Sequence, residues 1–252
     1  MKDIYVSIAT YPDRFKVIIP TLNSLKWQSV KNFKVEIHIH QEGLDKHRDE
    51  ASELLKFVSE DSRFKIVPWA KDLGSYKKWL SCKLHKNAYI LTGSDRVIYD
   101  RDFVKCHSLA LESNNGIVYN GEIYPYYISN ELNSMKGNLS KCDLTVPGFF
   151  DLGFGSSFDS ALISKCWFDL DFAYDTGVRN DDKFFHFVLA SHGIMNKKID
   201  PHRKSHNESI PRLGKQPGSY VWKPLFEKLK SEQKQLFKSY QMNLKFFYQV
   251  GI

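Results

Sequence analysis

An acid-containing turn directly follows a short apolar run near the middle of the chain. The run comprises residues 89–92, and the turn after it contains Ser94, Asp95 and Arg96. An apolar run of this length bounded by turn residues is typical of a buried strand, so Asp95 is expected at the carboxyl edge of a sheet. Ligands of open α/β sheets bind at that edge. The alternative is that Gly-Ser-Asp merely ends the strand, because these residues are common in turns.

Two other groups of polar residues follow predicted strands in the same way. The first group comes after the first predicted strand and the second after the third; they comprise Thr10, Tyr11 and Arg14, and Asp72, Lys77 and Lys78. Because the carboxyl ends of parallel strands meet at one edge of a sheet, we expect both groups to converge on the Asp95 turn.

A pair of adjacent acids, Asp181 and Asp182, opens a predicted helix later in the chain. A carboxylate in such a pair can serve as a general base while its neighbour orients the reacting group. Acids in the first turn of a helix are also favoured by the helix dipole and by capping, by about 0.3 to 1 kcal/mol each. Spacing alone therefore leaves both interpretations open.

The elements that would position these residues alternate between strands and helices. Apolar residues occur at every second position in the predicted strands and at helical spacing in the predicted helices. We predict strands over 3–9, 35–39, 64–67 and 89–92, and helices over 18–25, 46–60 and 76–87. This β-α-β order with short connections predicts an α/β fold in which helices flank a mainly parallel sheet.

The chain after residue 100 is less regular. We predict a helix over 101–113, a strand over 116–119, a Gly/Ser turn over 153–157, a polar loop over 200–207 and an amphipathic helix over 222–248, and we assign no element to 121–148. In the last helix the apolar residues form one stripe and the lysines lie largely off it. We therefore place one domain over residues 1–210 and a basic helical extension over 211–252.

The composition excludes several classes of protein. Of the 252 residues, 42% are hydrophobic and 26% are charged, as in soluble globular proteins. No apolar run approaches the roughly 20 residues that a membrane-spanning helix needs, and the N-terminus does not resemble a signal peptide. The four cysteines contain no Cys-x-x-Cys pair, so neither a zinc site nor a disulfide framework is expected. These features fit a reducing cytoplasm.

The net charge of +7 arises in the C-terminal part of the chain. From Lys197 onward ten Lys and two Arg accompany four acids, whereas the earlier residues carry 24 basic and 25 acidic groups. A basic segment is typical of proteins that bind phosphate, nucleic acid or an anionic membrane, and it is also common as a solvated surface. Nucleic acid is disfavoured as a partner, because the basic residues accompany an amphipathic stripe instead of alternating with exposed aromatic residues.

In this order, the motifs resemble the nucleotide-sugar-dependent glycosyltransferases of the GT-A fold, most nearly family 2 and its bacterial polysaccharide relatives. The resemblance extends over roughly residues 3–210. It implies a Rossmann-like sheet and inverting transfer of a sugar from a nucleotide diphosphate donor, with UDP expected. The implied acceptor is a hydroxyl of a bacterial surface glycan, such as capsule, O-antigen or lipooligosaccharide.

The resemblance also implies roles for individual residues. The donor nucleotide would be held by Thr10, Tyr11, Arg14, Asp72, Lys77 and Lys78, and its diphosphate by Ser94, Asp95, Arg96, Arg203 and Lys204. Gly153, Gly155 and Ser156 would face the acceptor. Asp182 would be the catalytic base, with Asp181 beside it.

The chain departs from the family at the DXD motif, whose acids hold a divalent metal. Ser94-Asp95-Arg96 retains a single carboxylate, whereas Mg²⁺ and Mn²⁺ prefer several anionic oxygen ligands. A guanidinium can offset diphosphate charge without a metal, so Arg96 is expected to substitute for it. Metal is therefore expected to be dispensable or weakly required, with Asp95 and His202 as candidate ligands. A strand-end Arg paired with a neighbouring Asp, without any ligand, is the alternative.

The expected location is the cytoplasm or the inner face of the plasma membrane, where the basic extension would meet anionic lipid and a lipid-linked acceptor. The extension itself is expected to dock on the domain, with dimerisation and membrane contact as the alternatives. Two other functions stay open. A nucleotidyltransferase on a related sheet is disfavoured because the turn over 10–14 lacks glycine. A non-catalytic nucleotide- or carbohydrate-binding module is favoured by the incomplete DXD motif.

Overall fold

The computed structural model describes residues 2–120, 126–128, 134–136, 145–147, 155–177, 181–199, 203–206 and 223–249. Its strands are β1 (Asp3–Ala9), β2 (Lys34–His40), β3 (Phe64–Trp69), β4 (Ala88–Ser94), β5 (Val97–Tyr99), β6 (Val118–Asn120), β7 (Tyr126–Ile128), β8 (Ser134–Lys136), β9 (Thr145–Pro147), β10 (Ser156–Asp159), β11 (Met195–Lys198) and β12 (Arg203–His206).

The helices are α1 (Ile19–Lys26), α2 (Gln41–Lys46), α3 (Ser52–Glu60), α4 (Ser81–Leu84), α5 (Phe103–Ser113), α6 (Ser160–Ile163), α7 (Leu170–Asp175), α8 (Asp181–Ser191), α9 (Lys223–Glu232) and α10 (Lys234–Gln249). Two 3-10 helices, Pro12–Arg14 and Gly74–Leu80, accompany them. The second is called the lysine segment below. Among the described helices, none is both long and apolar enough to cross a membrane.

The main sheet contains eight of the described strands in the order β3-β2-β1-β4-β10-β6-β11-β9. The neighbouring strands β3, β2, β1 and β4 are mutually parallel, and β10 is antiparallel to both of its neighbours. This arrangement confirms the predicted α/β fold with a mainly parallel sheet, flanking helices and C-terminal helices. β5 and β12 form a separate two-stranded sheet.

The strand order creates a crevice at the carboxyl edge of the sheet. Because β1 lies between β2 and β4, the chain moves outward from β1 to β3 and then returns to the other side of β1. The loops after β1 and β4 therefore lead in opposite directions from adjacent strands. Such a reversal is where open α/β sheets bind ligands, and both loops carry predicted site residues.

The two faces of the sheet are covered by cores of different chemistry. Alternate residues of a strand face opposite sides, and Ile4, Val6 and Ile8 of β1 join a largely aliphatic core with α1, α3 and α5. Tyr5 joins a second core that is rich in aromatic residues from the lysine segment, β10 and α8: Tyr76, Trp79, Phe158, Phe184, Phe185 and Phe187. Buried residues of α9 and α10 also belong to this aromatic core: Leu225, Leu229, Phe237 and Tyr240.

Several predicted elements differ from those observed. The helix predicted over 46–60 is divided into α2 and α3, and the one predicted over 76–87 begins as the 3-10 lysine segment and ends at Leu84. The predicted tail helix is interrupted at Gln233. This break lets α9 and α10 pack on each other, with the Phe226 and Phe237 ring centroids 4.7 Å apart.

Candidate active site

The turn after β4 is fastened to the turn after β1 by a buried ion pair. Asp95 is 3% exposed, and its Oδ1 lies 2.6 Å from Nη1 of Arg14. Its Oδ2 accepts a hydrogen bond of 3.1 Å from the Thr10 hydroxyl. The Thr21 hydroxyl of α1 donates to the backbone carbonyl of Asp95, also at 3.1 Å. Both carboxylate oxygens of Asp95 are therefore engaged by the chain itself at the crevice.

Burial dominates the electrostatics of this turn. It raises the pKa of Asp95, and the Arg14 guanidinium, the Thr10 hydroxyl and Arg96 oppose that rise. Arg14 is itself 7% exposed, and its Nε has no hydrogen-bond partner within the described part of the chain. Because an uncompensated buried charge is costly, Arg14 and Asp95 depend on each other.

A glycine permits the sharp turn that carries Ser94 to Arg96. A Cβ atom at Gly93 would lie 2.7 Å from the Tyr99 hydroxyl oxygen, which is too close for any side chain without movement. That hydroxyl accepts a hydrogen bond of 2.7 Å from the backbone N–H of Ser94. Tyr99 of β5 thus closes the turn and restricts the loop that holds Asp95 and Arg96.

A second acid–base pair lies beside the turn after β1. The Lys77 ammonium lies 2.6 Å from Oδ1 of Asp72 and 4.7 Å from the centre of the Tyr11 ring. Burial raises the pKa of Asp72, but Lys77 and the backbone N–H of Gly74 outweigh it, and the net shift is downward. The side chain of Asp72 is 45% exposed whereas that of Lys77 is buried, so Asp72 is the accessible member of the pair.

A third pair connects the lysine segment to the start of α8. Oδ2 of Asp181 lies 2.8 Å from the Lys78 ammonium and accepts a hydrogen bond of 2.8 Å from the Trp79 indole N–H. Asp181 is buried, and the next residue, Asp182, is half-buried in the first turn of the same helix. The two adjacent acids therefore have different environments. Lys78, predicted to bind the nucleotide, is placed against the predicted catalytic pair.

Tyr11 shows that the three pairs share one region. Burial raises the pKa of the Tyr11 hydroxyl, and the carboxylates of Asp181, Asp95 and Asp72 raise it further, whereas Arg14 opposes them. The Tyr11 side chain is therefore close to all three carboxylates. We call the pairs Asp72–Lys77, Asp95–Arg14 and Asp181–Lys78 the front cluster. The predicted convergence of the two donor-side groups on the Asp95 turn is observed in this cluster, and Asp181 of α8 lies there as well.

A group of buried polar residues, absent from the sequence prediction, lies behind the lysine segment. The Ser81 hydroxyl donates to a carboxylate oxygen of Glu36 at 2.6 Å, and Nε2 of His85 lies 2.8 Å from the other oxygen. Nε2 of His38 lies 2.8 Å from the Ser81 oxygen. The Trp69 indole N–H donates a hydrogen bond of 2.8 Å to Nδ1 of His38. We call Glu36, His38, Ser81 and His85 the back network.

The hydrogen bonds assign the roles within the back network. Because the Trp69 indole can only donate, Nδ1 of His38 is an acceptor and Nε2 carries the proton. His38 therefore donates to Ser81 and cannot act as its base. The Ser81 hydroxyl lies 2.9 Å from that of Ser7, which donates to the backbone carbonyl of Lys78. The network fixes the lysine segment on the sheet.

One signal for this network is present in the sequence. Glu36 and His38 alternate with apolar residues in β2, a pattern that normally indicates a strand with one solvated face. Here the lysine segment and the residues after it cover that face. The polar side chains of β2 are therefore buried, and their partners are Ser81, His85 and Trp69.

Two groups of predicted residues lie in strands instead of turns. Residues 203–206 were expected in a loop, but β12 pairs with β5, with Arg203 opposite Tyr99 and His206 opposite Val97. This pairing places the backbone of Arg203 and Lys204 next to the strand that leaves the Asp95 turn. The predicted Gly/Ser turn is also wrong at its second half, because Ser156 begins β10 opposite Thr92.

Gly155 precedes that strand with a φ of 92°, a conformation that favours glycine, and a Cβ there would lie 2.7 Å from the Phe103 ring. Gly155 therefore adjoins the aliphatic core, and the buried Ser156 side chain leaves little surface for an acceptor. The predictions for Gly153 and His202 lie outside the described residues.

The described residues do not fit a divalent metal site. No group of three or more His, Cys, Asp or Glu side chains within the described residues could hold an ion. Both oxygens of Asp95, the predicted ligand, already accept hydrogen bonds from Arg14 and Thr10. A carboxylate engaged in this way has to leave a buried cation to bind a metal.

An open cleft lies at the carboxyl ends of β2 and β3. Its volume is about 480 Å³, and its lining comes mainly from α2: Gln41, Glu42, Asp45, Lys46 and Ala70. The volume is within the range of small-molecule sites. The lining residue Ala70 lies two residues before the half-exposed Asp72.

Comparisons with known proteins concern the fold. No protein-family model matches this chain, and no curated protein matches it. The crystal structure of residues 1–349 of S. aureus TarS is similar over 99% of this chain and 73% of that chain, with a TM-score of 0.59 and 12% identity. The same fragment in complex with UDP has a TM-score of 0.55 and 14% identity over 79% of this chain and 58% of that chain.

The complex of that fragment with UDP-GlcNAc is similar over 96% of this chain and 72% of that chain, with a TM-score of 0.55 and 12% identity. At such identities the shared feature is the fold.

Proposed function

We propose that the protein is an inverting glycosyltransferase that moves a sugar from a nucleotide diphosphate donor, with UDP expected, to a hydroxyl of a bacterial surface glycan. The observation that carries the proposal is the front cluster, in which donor-side and catalytic acids meet at the crevice of the sheet. The similarity of the fold to TarS structures that contain UDP and UDP-GlcNAc supports a nucleotide-sugar donor.

The donor nucleoside would lie in the cleft beside β2 and β3. Asp72, two residues after Ala70 of the cleft lining, is half-exposed and can accept a hydrogen bond from a base or ribose, and the Tyr11 ring would be the aromatic contact. The Lys77 ammonium and the Arg14 guanidinium lie over the Tyr11 ring and help to hold it in place. Thr10 and Arg14 would act indirectly, since both contact the Asp95 carboxylate.

The donor diphosphate would lie at the turn that contains Ser94 and Arg96. Negative charge grows on the leaving diphosphate as the glycosidic bond breaks, so a fixed cation there lowers the barrier. Arg96 is the candidate in the turn, and β12 carries Arg203 and Lys204 into its neighbourhood by pairing with β5. No step of this proposal uses a metal.

Asp182 would act as the base. It would take the proton from the acceptor hydroxyl while that oxygen forms a bond with the anomeric carbon, and the bond from this carbon to the diphosphate oxygen would break. Attack opposite the leaving group inverts the anomeric configuration. Asp182 is the member of the acid pair that retains exposure, whereas Asp181 is buried against Lys78 and Trp79.

The C-terminal helices would hold the enzyme at the inner face of the plasma membrane. Their apolar residues are turned toward α8, with the Phe187 and Tyr240 ring centroids 5.0 Å apart. Lys230, Lys234 and Lys238 are exposed. Such residues are attracted to anionic lipid, where a lipid-linked glycan acceptor would be found. In this proposal residues 211–252 serve as the membrane-facing extension of the domain over 1–210.

A non-catalytic nucleotide-binding module is the second candidate. It is favoured by the pairing of Asp72, Asp95 and Asp181 with basic residues, because these three carboxylates are already neutralised within the chain. A module of this kind would bind UDP but would not release it from a nucleotide sugar.

A donor screen tests the proposal. Purified protein is incubated with UDP-, GDP-, CMP- and dTDP-sugars, release of the nucleotide is followed, and binding of each free nucleotide is measured by thermal shift. Slow hydrolysis of a UDP-sugar, with water in place of the acceptor, is the expected result. Binding of UDP without hydrolysis, even when glycan acceptors are supplied, would favour the binding module. Absence of both binding and turnover would overturn the proposal.

A further inference from the structure

The lysine segment contains two adjacent lysines that are both buried. Lys77 is 1% exposed and Lys78 is 8% exposed. Lysine is almost never buried without a partner, because removal of an ammonium group from water is costly. Two such residues in succession therefore require two acids, and the structure supplies them from different directions.

The two lysines serve opposite sides of the site. Lys77 pairs with Asp72 on the donor side, and Lys78 pairs with Asp181 at the start of α8. Successive residues of a 3-10 helix project about 120° apart, so neighbouring side chains can reach separate partners. One turn of chain thus contacts both the proposed nucleotide site and the helix that carries Asp182.

The lysine segment is held rigidly between these partners. Trp79 stacks on Phe185 of α8, with ring centroids 3.7 Å apart, and its indole donates to Asp181. On the opposite side, the Ser7 hydroxyl donates to the backbone carbonyl of Lys78. The Lys78 ammonium and the Trp79 indole both contact Oδ2 of Asp181. A displacement of the lysine segment would therefore move the start of α8.

We propose that Lys78 is a positioning residue for the catalytic base, acting through Asp181 to fix the first turn of α8, whereas Lys77 acts on donor binding. This inference rests on the proposed function. The lysine segment then divides the two tasks between adjacent side chains. Loss of Lys78 disturbs the rate of the chemical step, and loss of Lys77 disturbs nucleotide affinity.

Substitution of each lysine separates the two tasks. For Lys78→Met we expect kcat for UDP-GlcNAc hydrolysis to fall about 10- to 100-fold, because small displacements of catalytic groups have effects of this size. The Kd for UDP, measured by calorimetry, should stay within about twofold of wild type. For Lys77→Met the Kd for UDP should rise about tenfold, since it removes the partner of Asp72. Lys71→Met is the matched control, because the ion pairs of Lys71 with Asp171 and Asp175 are exposed and its other contact is with the Tyr174 ring.

A double substitution provides a readout that general loss of stability would not give. If Lys78 acts through Asp181, then Lys78→Met and Asp181→Asn should not be additive, and the double variant should lose about as much kcat as the more impaired single variant. Additive losses in kcat would overturn the proposal. So would equal effects of Lys77→Met and Lys78→Met on the Kd for UDP.

Lys78→Arg decides the question if Lys78→Met does not fold. The guanidinium keeps the charge but is longer and planar, so it should hold Asp181 in a displaced position, and we expect a lower kcat with an unchanged Kd for UDP. Wild-type kcat in this variant would contradict the positioning role. Wild-type protein that neither binds UDP nor hydrolyses a nucleotide sugar would instead reject the proposed function, which keeps the two failures distinct.

Discussion

The front cluster and the back network lie on opposite sides of the lysine segment, and their buried charges are neutralised differently. In the front cluster each acid is matched by one Lys or Arg from a different element. In the back network the carboxylate of Glu36 is surrounded by hydrogen bonds from Ser81 and His85 and by the nearby imidazole of His38. No Lys or Arg pairs with Glu36 in the described part of the chain.

This difference in charge neutralisation distinguishes the front cluster, which can bind a ligand, from the back network, which supports it. An ion pair can open toward a charged ligand, because the ligand replaces one charge with another. A closed hydrogen-bond network offers no such exchange and loses a partner if any member moves. Substitutions in the front cluster should therefore alter ligand binding or turnover, and substitutions in the back network should alter stability first.

Asp182→Asn should have the largest effect on activity. Removal of a general base typically lowers the rate by about 10² to 10⁴, so we expect kcat to fall about 10³-fold with the Kd for UDP unchanged. Steady-state kinetics and calorimetry provide the measurement. Asp171→Asn, at an exposed acid of α7, is the control and should behave as wild type. Retention of more than about a tenth of kcat in Asp182→Asn would exclude this base.

Arg14→Met should have the largest effect on stability within the front cluster. It leaves the buried Asp95 carboxylate without its cation, and such losses cost about 4 kcal/mol of unfolding free energy. Urea denaturation would measure it. The pKa of Asp95 should rise further, so the variant should lose less stability at low pH than at neutral pH. Asp95→Asn in the same background should recover part of the loss, and failure to do so would show that the pair is not coupled.

Glu36→Gln tests the back network through its pH dependence. Burial raises the pKa of Glu36, but the nearby imidazole of His38 and the hydrogen bonds from Ser81 and His85 outweigh it and lower the pKa from 4.5 to about 2. Because the folded-state pKa lies below the unfolded-state value, this stabilisation is present above pH 4.5 and is lost as the pH falls toward about 2. Its full size is about 3 kcal/mol.

Denaturation of Glu36→Gln at neutral and acid pH checks this expectation. The variant should be less stable than wild type near neutral pH and should lose less of its stability on acidification. Glu53→Gln, at an exposed position of α3, serves as the control. An acid response equal to that of wild type would show that Glu36 contributes nothing to it.

Removal of divalent metal should have the smallest effect. Since Asp95 is held by Arg14 and Thr10, hydrolysis of the donor after EDTA treatment should stay within about twofold of the untreated rate. Arg96→Met should by contrast lower kcat, because it removes a cation from the diphosphate turn. Loss of activity with EDTA and recovery with Mg²⁺ or Mn²⁺ would reverse this assignment.

The sequence predicts the first half of the fold well, for a physical reason. Strands β1 to β4 have regular apolar spacing and short connections, so their parallel arrangement and the carboxyl-edge position of Asp95 follow from the pattern, whereas their order in the sheet does not. The opening of α8 at Asp181 follows in the same way. The pattern fails after β5, where short strands enter the sheet out of sequence order and β10 runs antiparallel to β4.

The site itself is less predictable, because pairing is not encoded in spacing. Nothing local indicates that Asp95 pairs with Arg14, which is far away in the sequence, instead of binding a ligand. Lys77 and Lys78 are indistinguishable in sequence, yet they contact different acids. The back network is not predicted, because alternation of apolar and polar residues as in β2 is equally typical of a strand with one solvated face. Residue types thus indicate which chemistry is available, and tertiary contacts decide where it is used.

The strand order also determines when the sheet can be completed as the chain is synthesised. The four neighbouring strands β3, β2, β1 and β4 all come from the part of the chain that ends at Ser94. The strand that pairs with the other side of β4 is β10, which begins at Ser156. Chains emerge from the ribosome N-terminus first, so the nascent sheet presents β4 as an open edge until β10 arrives. Open edges recruit other chains. We expect the yield of folded protein to depend most on chaperone supply during that interval of translation.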